Sequence, residues 1–592
     1  MLDTFRKLRA LLSVREQRQA LLLLALMLVV GIMELAGVAS ILPLIAVISE
    51  PGVVESNPWL KMAYEGFGFS EINSFFVALS VVVFVIVVGR TALTALSSYA
   101  ILRFSAMRGY SLGLRLLRNF LGRPYSWFLN QHSTDLSKTI LSEVEEVIRS
   151  SMMPALQLLS QAITAVFLIG LVVFLDPAVA ISAVLVLGLS YGAIYLVVRN
   201  LLLRVGRGRV EANQERYRIA HEALSGIKDV KVAGLETAYI KRFEVPSYIF
   251  ERHRSSLQVL GDTPRYALEA IAIGGMLIVI MALLLRSQGS IAAALPTIAV
   301  YGFAGLRLLP VVQGLYRSVV MLRASGVALD KIFAELKVPQ GDLSKVAVEP
   351  LPVRNGIELR TVSFAYPAAD REALRDISLN IPVHSSIGLV GKTGAGKSTL
   401  VDLILGLLEP QAGSLLVDGT LIDLTNVRRW QRSIGYVPQS IFLADESIAA
   451  NIAFGVPAEQ IDMAAVERAA RMASLHDFVT TELSQGYATM VGERGVRLSG
   501  GQRQRVGIAR ALYHDPEVLV FDEATSALDN QTEKSVMEAV RNLSGRKTII
   551  MIAHRLTTVQ DCDRIFVLDK GKITASGPWS EIEAVVATAD GR

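Results

Sequence analysis

The sequence predicts a chain with two different halves: an α-helical membrane domain with six spans, followed by an α/β domain that binds nucleotide phosphates. Apolar residues make up 52% of the 592 residues and the mean hydropathy is +0.44, which is high for a soluble protein. The long apolar segments all lie before residue 324, whereas after residue 356 short β-rich runs alternate with amphipathic helical patterns. A glycine-rich phosphate-binding motif joins one of these runs to a helix.

Six segments are long and apolar enough to cross a bilayer, which takes roughly 20 residues in a helix. They lie near 20–48, 74–99, 154–175, 178–198, 264–286 and 291–320. Basic residues precede the first segment, as they do in a signal peptide. Its length exceeds the roughly 7–15 residues of a secretory apolar region, and no small-residue cleavage site ends it, so we expect a retained helix.

The distribution of charge between these segments predicts their orientation. Residues 100–153 and 199–263 are rich in Arg and have helical periodicity, whereas residues 50–73 carry more acidic side chains. The positive-inside rule therefore places the N-terminus, both long connections and the C-terminal half in the cytoplasm. The membrane helices are also expected to continue well beyond the bilayer on that side.

The expected domain organisation is a membrane domain over residues 1–323, a linker over 324–355 and a nucleotide-binding domain over 356–592. The single cysteine, Cys562, excludes an intramolecular disulfide and argues against a Cys-rich metal site. The net charge of +5 is small, and the basic residues lie beside apolar segments instead of forming one basic face. A nucleic-acid partner is therefore not expected.

The most specific motif is Gly391-Lys392-Thr393-Gly394-Ala395-Gly396-Lys397-Ser398-Thr399. It follows an apolar run and precedes a helical pattern, which is the context that a phosphate-binding loop requires. Its backbone N–H groups can surround the β- and γ-phosphates at the positive end of a helix. Lys397 is expected to contact those phosphates and Ser398 to ligate Mg²⁺. A glycine-rich turn without nucleotide is the alternative, and the full spacing disfavours it.

A second apolar run, residues 518–521, ends in Asp522 and Glu523. The end of this strand would place Asp522 near the phosphate loop, where its carboxylate can hold Mg²⁺. Glu523 can then orient and deprotonate the attacking water. The alternative is a solvated acidic turn, which the phosphate loop upstream makes less plausible.

The pentapeptide Leu498-Ser499-Gly500-Gly501-Gln502 resembles the signature of the ATP-binding cassette (ABC) family. In that family the signature binds the γ-phosphate of ATP held by the opposite subunit. The resemblance therefore implies that two cassettes meet with ATP between them, so the expected partner is a second copy of this chain. Six membrane helices fused to one cassette resemble the exporters of the family, which implies an ATPase coupled to transport.

Other motifs occur in the order typical of the family. The resemblance implies that Tyr366 stacks on adenine, that Gln439 reaches Mg²⁺ and the attacking water, that Asp529 links the two ATP sites and that His554 contacts the γ-phosphate. Glu523, His554 and Gln439 would be catalytic, and Ser398, Gln439 and Asp522 would hold Mg²⁺. The implied ATP-binding residues are Tyr366, Gly391, Thr393, Gly394, Ala395, Gly396, Lys397, Ser398, Thr399, Ser499, Gly500, Gly501, Gln502 and Asp529.

Ionisable residues inside membrane helices are costly and point to function or pairing. The predicted spans contain Glu34, Arg90, Glu269 and Arg307. From the helical rise, we expect both arginines and Glu269 to lie towards the cytoplasmic side and Glu34 nearer the outer face. Either Glu269 neutralises one arginine and the set joins helices, or at least one arginine faces a cavity and binds a phosphate or pyrophosphate headgroup.

The runs 128–138 and 224–231, with Pro264-Arg265-Tyr266 and Glu269, resemble the lipid-linked oligosaccharide flippases of bacterial protein glycosylation. The amphipathic segment 57–64 would lie on the outer membrane surface, as in that group. The resemblance implies a homodimer in a bacterial inner membrane, with cytoplasmic N- and C-termini, that flips a polyprenyl-pyrophosphate-linked oligosaccharide outwards. An exporter of drugs or other lipids is the alternative. A cassette ATPase without a transport function is disfavoured by the six spans.

Overall fold

The computed structural model describes residues 2–175, 177–286, 291–338, 349–367, 369, 371–523, 530–552 and 556–583. Its contacts divide the chain into two units, Met1–Arg123 with Asn130–Gly341, and Pro124–Leu129 with Asp342–Arg592. The described elements of the first unit are all helices, whereas the second unit combines helices with two β-sheets. The predicted fold class, a helical membrane domain followed by an α/β nucleotide-binding domain, is therefore confirmed.

The helices up to residue 337 follow one another with short connections. In chain order they are α1 Leu2–Leu11, α2 Val14–Ala39, α3 Ile41–Ser49, α4 Val53–Ser56, α5 Pro58–Gly66, α6 Ile72–Leu121, α7 Tyr125–Phe128 (which belongs to the second unit), α8 Ser133–Lys138, α9 Val144–Val147, α10 Met153–Leu175, α11 Pro177–Ser225, α12 Ile227–Val232, α13 Glu236–Asp262, α14 Pro264–Arg286, α15 Ile291–Ala324 and α16 Gly326–Lys337. Two π-helical turns, Thr139–Glu143 and Ile148–Met152, connect α8, α9 and α10.

Four described helical segments are long and apolar enough to cross a membrane: Val14–Ser49, Ile72–Leu121, Ser133–Leu175 and Ile298–Ala324. The other two predicted spans, near 178–198 and 264–286, lie within α11 and α14. The number of crossings, six, stays a prediction. Helices α6 and α11 contain 50 and 49 residues. At about 1.5 Å per residue each is more than twice as long as a hydrocarbon core of about 30 Å, which confirms that the helices extend beyond the bilayer.

The first predicted span is interrupted at Ser40, where α2 ends and α3 begins. Pro43 provides the physical reason, because it has no N–H to donate to the carbonyl of Ala39 four residues earlier. The Ser40 hydroxyl donates to the carbonyl oxygen of Gly37 at 3.0 Å, so the polar side chain is satisfied within the apolar segment.

Helices α2 and α6 are joined by two buried ion pairs. Arg90 Nη1 lies 3.2 Å from Glu34 Oε2, and Arg108 Nη1 lies 2.8 Å from Glu16 Oε1. Eighteen residues separate the two pairs on each helix, so the helices run antiparallel in a fixed register. Gly37 makes room for this contact, since a Cβ there would lie 2.9 Å from Arg90 Cδ.

The prediction that Glu34 lies nearer the outer face than Arg90 is therefore wrong. The two side chains touch, so they lie at the same depth. Counting residues from the ends of apolar segments gave a false depth, because α2 and α6 both continue past those ends as paired helices. The Glu16–Arg108 pair lies on this continuation.

The first part of the predicted linker is helical. Helix α16 buries Ala328, Leu329 and Ile332, and Glu335 forms an ion pair of 2.7 Å with Arg123. The prolines that indicated a linker, at positions 339, 350 and 352, all follow this helix in the sequence.

The described residues of the second unit after position 349 form two sheets and seven α-helices. Its strands are β1 Gly356–Phe364, β2 Leu374–Pro382, β3 Ser386–Val390, β4 Ala412–Val417, β5 Thr420–Leu421, β6 Ile434–Val437, β7 Val518–Asp522, β8 Thr548–Ile552, β9 Arg564–Asp569 and β10 Lys572–Gly577. Its helices are α17 Lys397–Ile404, α18 Val427–Arg432, α19 Ile448–Ile452, α20 Met463–Met472, α21 Gly500–Leu512, α22 Asn530–Arg541 and α23 Leu556–Val559.

The smaller sheet is antiparallel, in the order β2-β1-β4-β5, and the larger has the order β10-β9-β3-β8-β7-β6. In the larger sheet β9, β3, β8, β7 and β6 are parallel, and β10 pairs antiparallel at one edge. Every residue of β3, β7 and β8 is buried, as expected for parallel strands with both faces covered.

The register of the parallel strands determines where the polar residues meet. Ile552 at the end of β8 pairs with Leu389 of β3 on one side and with Asp522 of β7 on the other. Val437 at the end of β6 pairs with Phe521. The carboxyl ends of four strands thus lie along one edge of the sheet, which is where ligands bind in open α/β sheets.

Candidate functional site

The loop after β3 is held close to neighbouring backbone by its glycines. A Cβ at Gly391 would lie 2.3 Å from the carbonyl oxygen of Leu568, and one at Gly396 would lie 2.8 Å from that of Ala373. Gly396 also has a φ of +104°, which strains any other residue. These two positions therefore require glycine, and the loop they shape leads directly into the N-terminus of α17.

Lys397, the first residue of α17, lies across this loop. Its Nζ donates to the carbonyl oxygens of Gly391 at 2.6 Å and Lys392 at 3.2 Å, and its side chain is buried. The ammonium group is therefore held against the loop, next to the positive N-terminal end of α17. Phosphate oxygens can replace the carbonyls as its acceptors, which is the chemistry that the sequence predicts for this lysine.

Tyr366 lies beside the same loop. Its hydroxyl is 3.0 Å from that of Thr399 in the first turn of α17, and its ring packs edge-on against Phe364 with centroids 5.1 Å apart. An aromatic ring next to the phosphate loop is where a nucleotide base would need a stacking partner. The structure thus brings together these two predicted ATP-binding residues, which are 33 residues apart in the sequence.

Glu523 and Gln439 also meet, although 84 residues separate them. Gln439 Nε2 donates to Glu523 Oε2 at 2.6 Å, and the Glu523 N–H donates to the carbonyl of Ile552 at 3.1 Å. Glu523 has a φ of +48°, an uncommon conformation for a residue with a side chain. Strained residues of this kind are typical of functional sites, and here the strain turns a carboxylate out of the end of β7.

Asp522 ends β7 as a mostly buried carboxylate, and a second carboxylate, Asp402, is close to it. Burial, reinforced by the charge of Asp522, raises the pKa of Asp402 to about 6. Burial also raises the pKa of Tyr436, whose hydroxyl hydrogen-bonds to Asp522 and which feels the charges of both aspartates.

Asp402 is not among the residues that the sequence motifs single out. A signal was nevertheless present, because Asp402 is an acidic residue within the apolar run Leu400-Val401-Asp402-Leu403-Ile404 of a helix. A charged side chain in such a run is costly unless a partner or a function requires it.

We expect the Asp402→Asn variant to be more stable than the wild type at pH 7.5. The pKa of Asp402 is about 6 in the folded protein against an ordinary 3.8, so the folded state binds more protons between these values. The stability of the wild type therefore falls as pH rises through this window, and the full cost is present above it. Asparagine carries no such cost.

Thermal unfolding of the full chain in detergent, without nucleotide or Mg²⁺, would measure this effect. The gain in Tm should grow from about pH 4 to pH 6 and then stay constant. Asp445→Asn, a change at an exposed aspartate, is the matched control and should not shift Tm in this way. A gain that is equal at pH 4 and pH 7.5 would contradict the prediction.

The predicted Mg²⁺ ligands are hard oxygen donors that suit this ion. Ser398 and Gln439 are exposed, and Asp522 ends β7 beside the Gln439–Glu523 contact. Among the described residues no group of three or more His, Cys, Asp or Glu side chains could hold a metal ion by itself. Mg²⁺ usually keeps few protein ligands and takes the rest from phosphates and water.

Ser499 caps the N-terminus of α21 in a capping box. Its hydroxyl accepts the N–H of Gln502 at 3.2 Å, and Gln502 Oε1 accepts the N–H of Ser499 at 2.8 Å. The Ser499 side chain is exposed, so this helix end is open to a group from outside the chain. Two further predicted site residues, His554 and Asp529, lie outside the described residues. The roles of all the predicted site residues stay predictions.

Comparison with known proteins identifies the family. Residues 20–253 match the ABC transporter transmembrane region, and residues 374–526 match the ABC transporter family. An ATP-dependent lipid A-core flippase from Bordetella pertussis is 30% identical over 560 residues, which cover 94% of this chain and 87% of the relative. The chain belongs to the ABC exporter family. As an ABC exporter half-transporter it couples ATP hydrolysis to transport, and the resemblance to the exporters of the ABC family is confirmed.

Other similar proteins show how widely the family varies. The alpha-hemolysin translocation ATP-binding protein HlyB from Escherichia coli O157:H7 is 31% identical over 519 residues, 87% of this chain and 71% of the relative. The structure of a bacterial Atm1-family ABC exporter with ATP bound has a TM-score of 0.77 at 23% identity, over 97% of this chain and 98% of that one. This likeness shows the exporter fold. Because these names differ in cargo, membership of the ABC exporter family does not determine what this chain carries.

Proposed function

We propose that this exporter is a homodimer that flips a polyprenyl-pyrophosphate-linked oligosaccharide from the inner to the outer leaflet of a bacterial inner membrane. Relatives named as lipid A-core flippases support a lipid cargo. The observation that carries the proposal is the state of Arg307, a charged residue in the membrane segment Ile298–Ala324.

Arg307 is exposed in the single subunit, and no described residue forms an ion pair or hydrogen bond with it. The other predicted cavity residues differ in this respect. Arg90 is paired with Glu34, and the nearest ion-pair partner of Glu269 is Arg265, one turn earlier on α14, at 3.8 Å. Glu269 is thus paired on its own helix instead of with Arg90 or Arg307.

An uncompensated guanidinium in a membrane segment is costly, so its presence favours a function. Guanidinium binds phosphate oxygens through two parallel hydrogen bonds, which makes a phosphate or pyrophosphate the anion of best fit. Two subunits would supply two such arginines. Arg90, by contrast, supports the packing of α2 on α6 and is no longer a candidate for the headgroup.

We also propose the roles of the ATP-site residues. Lys397 and the backbone of residues 391–399 bind the phosphates, and Tyr366 stacks on the adenine. Glu523, held by Gln439, takes a proton from the attacking water. Mg²⁺, held by Ser398, Gln439 and Asp522, would neutralise charge on the phosphates. Ser499 to Gln502 of the second subunit complete each site, which the exposure of Ser499 supports.

The exposed apolar residues of the segment after α3 support its predicted place on the outer membrane surface. Trp59 and Met62 of α5 are 78% and 63% exposed, and Phe67 directly after it is 81% exposed. Lipid headgroups and acyl chains would cover such side chains.

Arg307→Ala is expected to reduce flipping of a polyprenyl-pyrophosphate lipid by about tenfold or more, since a charge-assisted bidentate contact is lost. Basal ATPase activity should change less than about twofold, because Arg307 lies outside the cassette. Flipping would be measured in proteoliposomes with a fluorescent lipid and a membrane-impermeant quencher.

Arg323→Ala, a change at an exposed arginine at the end of the same helix, is the matched control and should flip lipid as the wild type does. Arg307→Lys should recover part of the activity, because it keeps the charge but loses the bidentate geometry. Equal flipping by Arg307→Ala and the wild type would remove the anion site. A wild type that moves no polyprenyl-pyrophosphate lipid would overturn the proposed cargo.

A further inference from the structure

A polar cavity of about 420 Å³ lies in the first unit among α11, α13, α14 and α15. Its size is within the range of small-molecule sites, roughly 300–1,000 Å³. The residues that matter for its chemistry are Tyr191, Asp262, Arg265, Gln313, Tyr316 and Arg317. None of them belongs to the ATP site or to the four charged residues that the sequence singles out.

Tyr191 and Tyr316 provide the first evidence that the cavity binds a ligand. Their side chains are only 8% and 6% exposed, and their rings lie 5.1 Å apart at 38°. Both hydroxyl groups are buried, and neither has a hydrogen-bond partner among the residues that the structure describes. Buried tyrosine hydroxyls normally have a partner, and leaving one unpaired costs free energy. A ligand in the cavity beside them can provide the missing hydrogen bonds.

The charges at the cavity provide the second piece of evidence. Arg317 Nε lies 3.4 Å from Asp262 Oδ1, and Arg265 Nε lies 3.8 Å from Glu269 Oε2. Each described arginine of the lining thus has a carboxylate beside it, and an incoming phosphate would meet those carboxylates as well. Because a carboxylate offsets the charge of each arginine, the cavity favours an uncharged polar ligand over an anion.

The lining also offers donors and acceptors in similar measure. The guanidinium groups donate, the Asp262 carboxylate accepts, and the Gln313 amide and both tyrosine hydroxyls can do either. The side chains of Arg265, Arg317 and Asp262 are 60%, 59% and 56% exposed, so a ligand can reach them. Sugar hydroxyls both donate and accept. A carbohydrate matches this set of groups.

The position of the cavity relative to Arg307 fits a glycolipid. Gly314, which also lines the cavity, follows Arg307 by seven residues on α15. Seven residues are about two turns, or roughly 10 Å, and place both on one face of the helix. In a sugar linked to lipid through pyrophosphate, the phosphates lie between the lipid tail and the first sugar. With the phosphates at Arg307, the sugars extend along α15 to the cavity.

We infer that this cavity, defined by Tyr191, Tyr316, Asp262, Arg265, Gln313 and Arg317, is the sugar subsite of the transported lipid. The inference rests on the proposed function and deepens it, because it assigns recognition of the headgroup to two places. Arg307 binds the acidic linkage, and the cavity binds a neutral sugar of the oligosaccharide.

The test compares two probes, a polyprenyl pyrophosphate and the same lipid carrying an N-acetylated disaccharide. Each is titrated against the full chain in nanodiscs, and the double variant Tyr191→Phe/Tyr316→Phe removes both hydroxyls but keeps both rings. We expect the wild type to bind the glycosylated lipid about 10- to 25-fold more tightly, since each hydrogen bond contributes a factor of roughly five. The double variant should bind the bare lipid as the wild type does and should lose most of the preference for the glycosylated lipid.

Tyr195→Phe, one turn further along α11 and outside this set of residues, is the matched control and should keep the full preference. Basal ATPase activity of Tyr195→Phe should equal that of the wild type. A double variant that keeps the preference, or that loses affinity for both lipids equally, would overturn the sugar subsite. So would a wild type that flips both lipids but binds them equally, and this result leaves the proposed function standing. A wild type that flips neither lipid overturns the proposed function itself.

Discussion

Glu523→Gln is expected to reduce ATP turnover by about 10²- to 10⁴-fold while ATP binding is retained. Glutamine has the size and shape of glutamate, so it can occupy the same position at the end of β7 next to Gln439. It lacks the carboxylate that would accept a proton from the attacking water. Substrate contacts made by Lys397 and the phosphate loop are unchanged, because they lie on β3 and α17.

Phosphate release and binding of a fluorescent ATP analogue would be measured on the same preparation in nanodiscs. Glu482→Gln, a change at an exposed glutamate elsewhere in the cassette, is the control and should hydrolyse ATP at the wild-type rate. Unchanged hydrolysis by Glu523→Gln would show that another group takes the proton. Loss of both ATP binding and ATP hydrolysis would show that Glu523 is needed for the structure of the ATP site and would not support its action on water.

Ser499→Arg is expected to reduce ATP hydrolysis by about 10²-fold or more, although the chain's own phosphate loop is intact. Ser499 is exposed at the start of α21, the helix end proposed to meet ATP of the second subunit. A long side chain there would occupy the place of the γ-phosphate in the one site that this helix end completes. The loss of the cap itself costs only about 1 kcal/mol, so Ser499→Ala serves as the control for helix stability.

Mixing two inactive variants can show which chain completes each site. Lys397→Ala removes the phosphate contact of its own chain, and Ser499→Arg blocks the site of its partner. A dimer with one copy of each keeps one unmodified site, so co-expression should recover about a quarter of the wild-type ATPase activity if dimers form at random. No recovery would mean that Ser499 acts within its own chain, which contradicts the composite site.

Much of the proposed ATP site could be predicted from the sequence because most of its parts are local motifs next to a strand. The glycines of the phosphate loop, the acidic pair at the end of β7 and the glutamine after β6 all follow apolar runs. In a parallel sheet the ends of such runs meet at one edge, and the register of Leu389, Ile552 and Asp522 shows this meeting. The sequence motifs do not point to Asp402, which lies on α17, because the carboxylate close to it, Asp522, lies on strand β7.

The membrane half was harder to predict because its contacts depend on helix register. The sequence indicates that Glu34 and Arg90 are buried and charged, but not that α2 and α6 bring them together. The break between α2 and α3 at Ser40 does not show in the apolar composition of the segment, although Pro43 is a sequence signal for it. No sequence motif indicates that Tyr191 and Tyr316 lie together. Only the packing of the helices shows that they line the same cavity.

The two ion pairs between α2 and α6 have a mechanical consequence. Their spacing of eighteen residues equals five helical turns, so both pairs lie on the same stripe of each helix. A slide of one helix along the other would separate both pairs at once and leave four charges without partners, which is strongly unfavourable. We therefore expect α2 and α6 to move through the transport cycle together, as one rigid body. Relative movement of helices is then expected between this pair and the other helices.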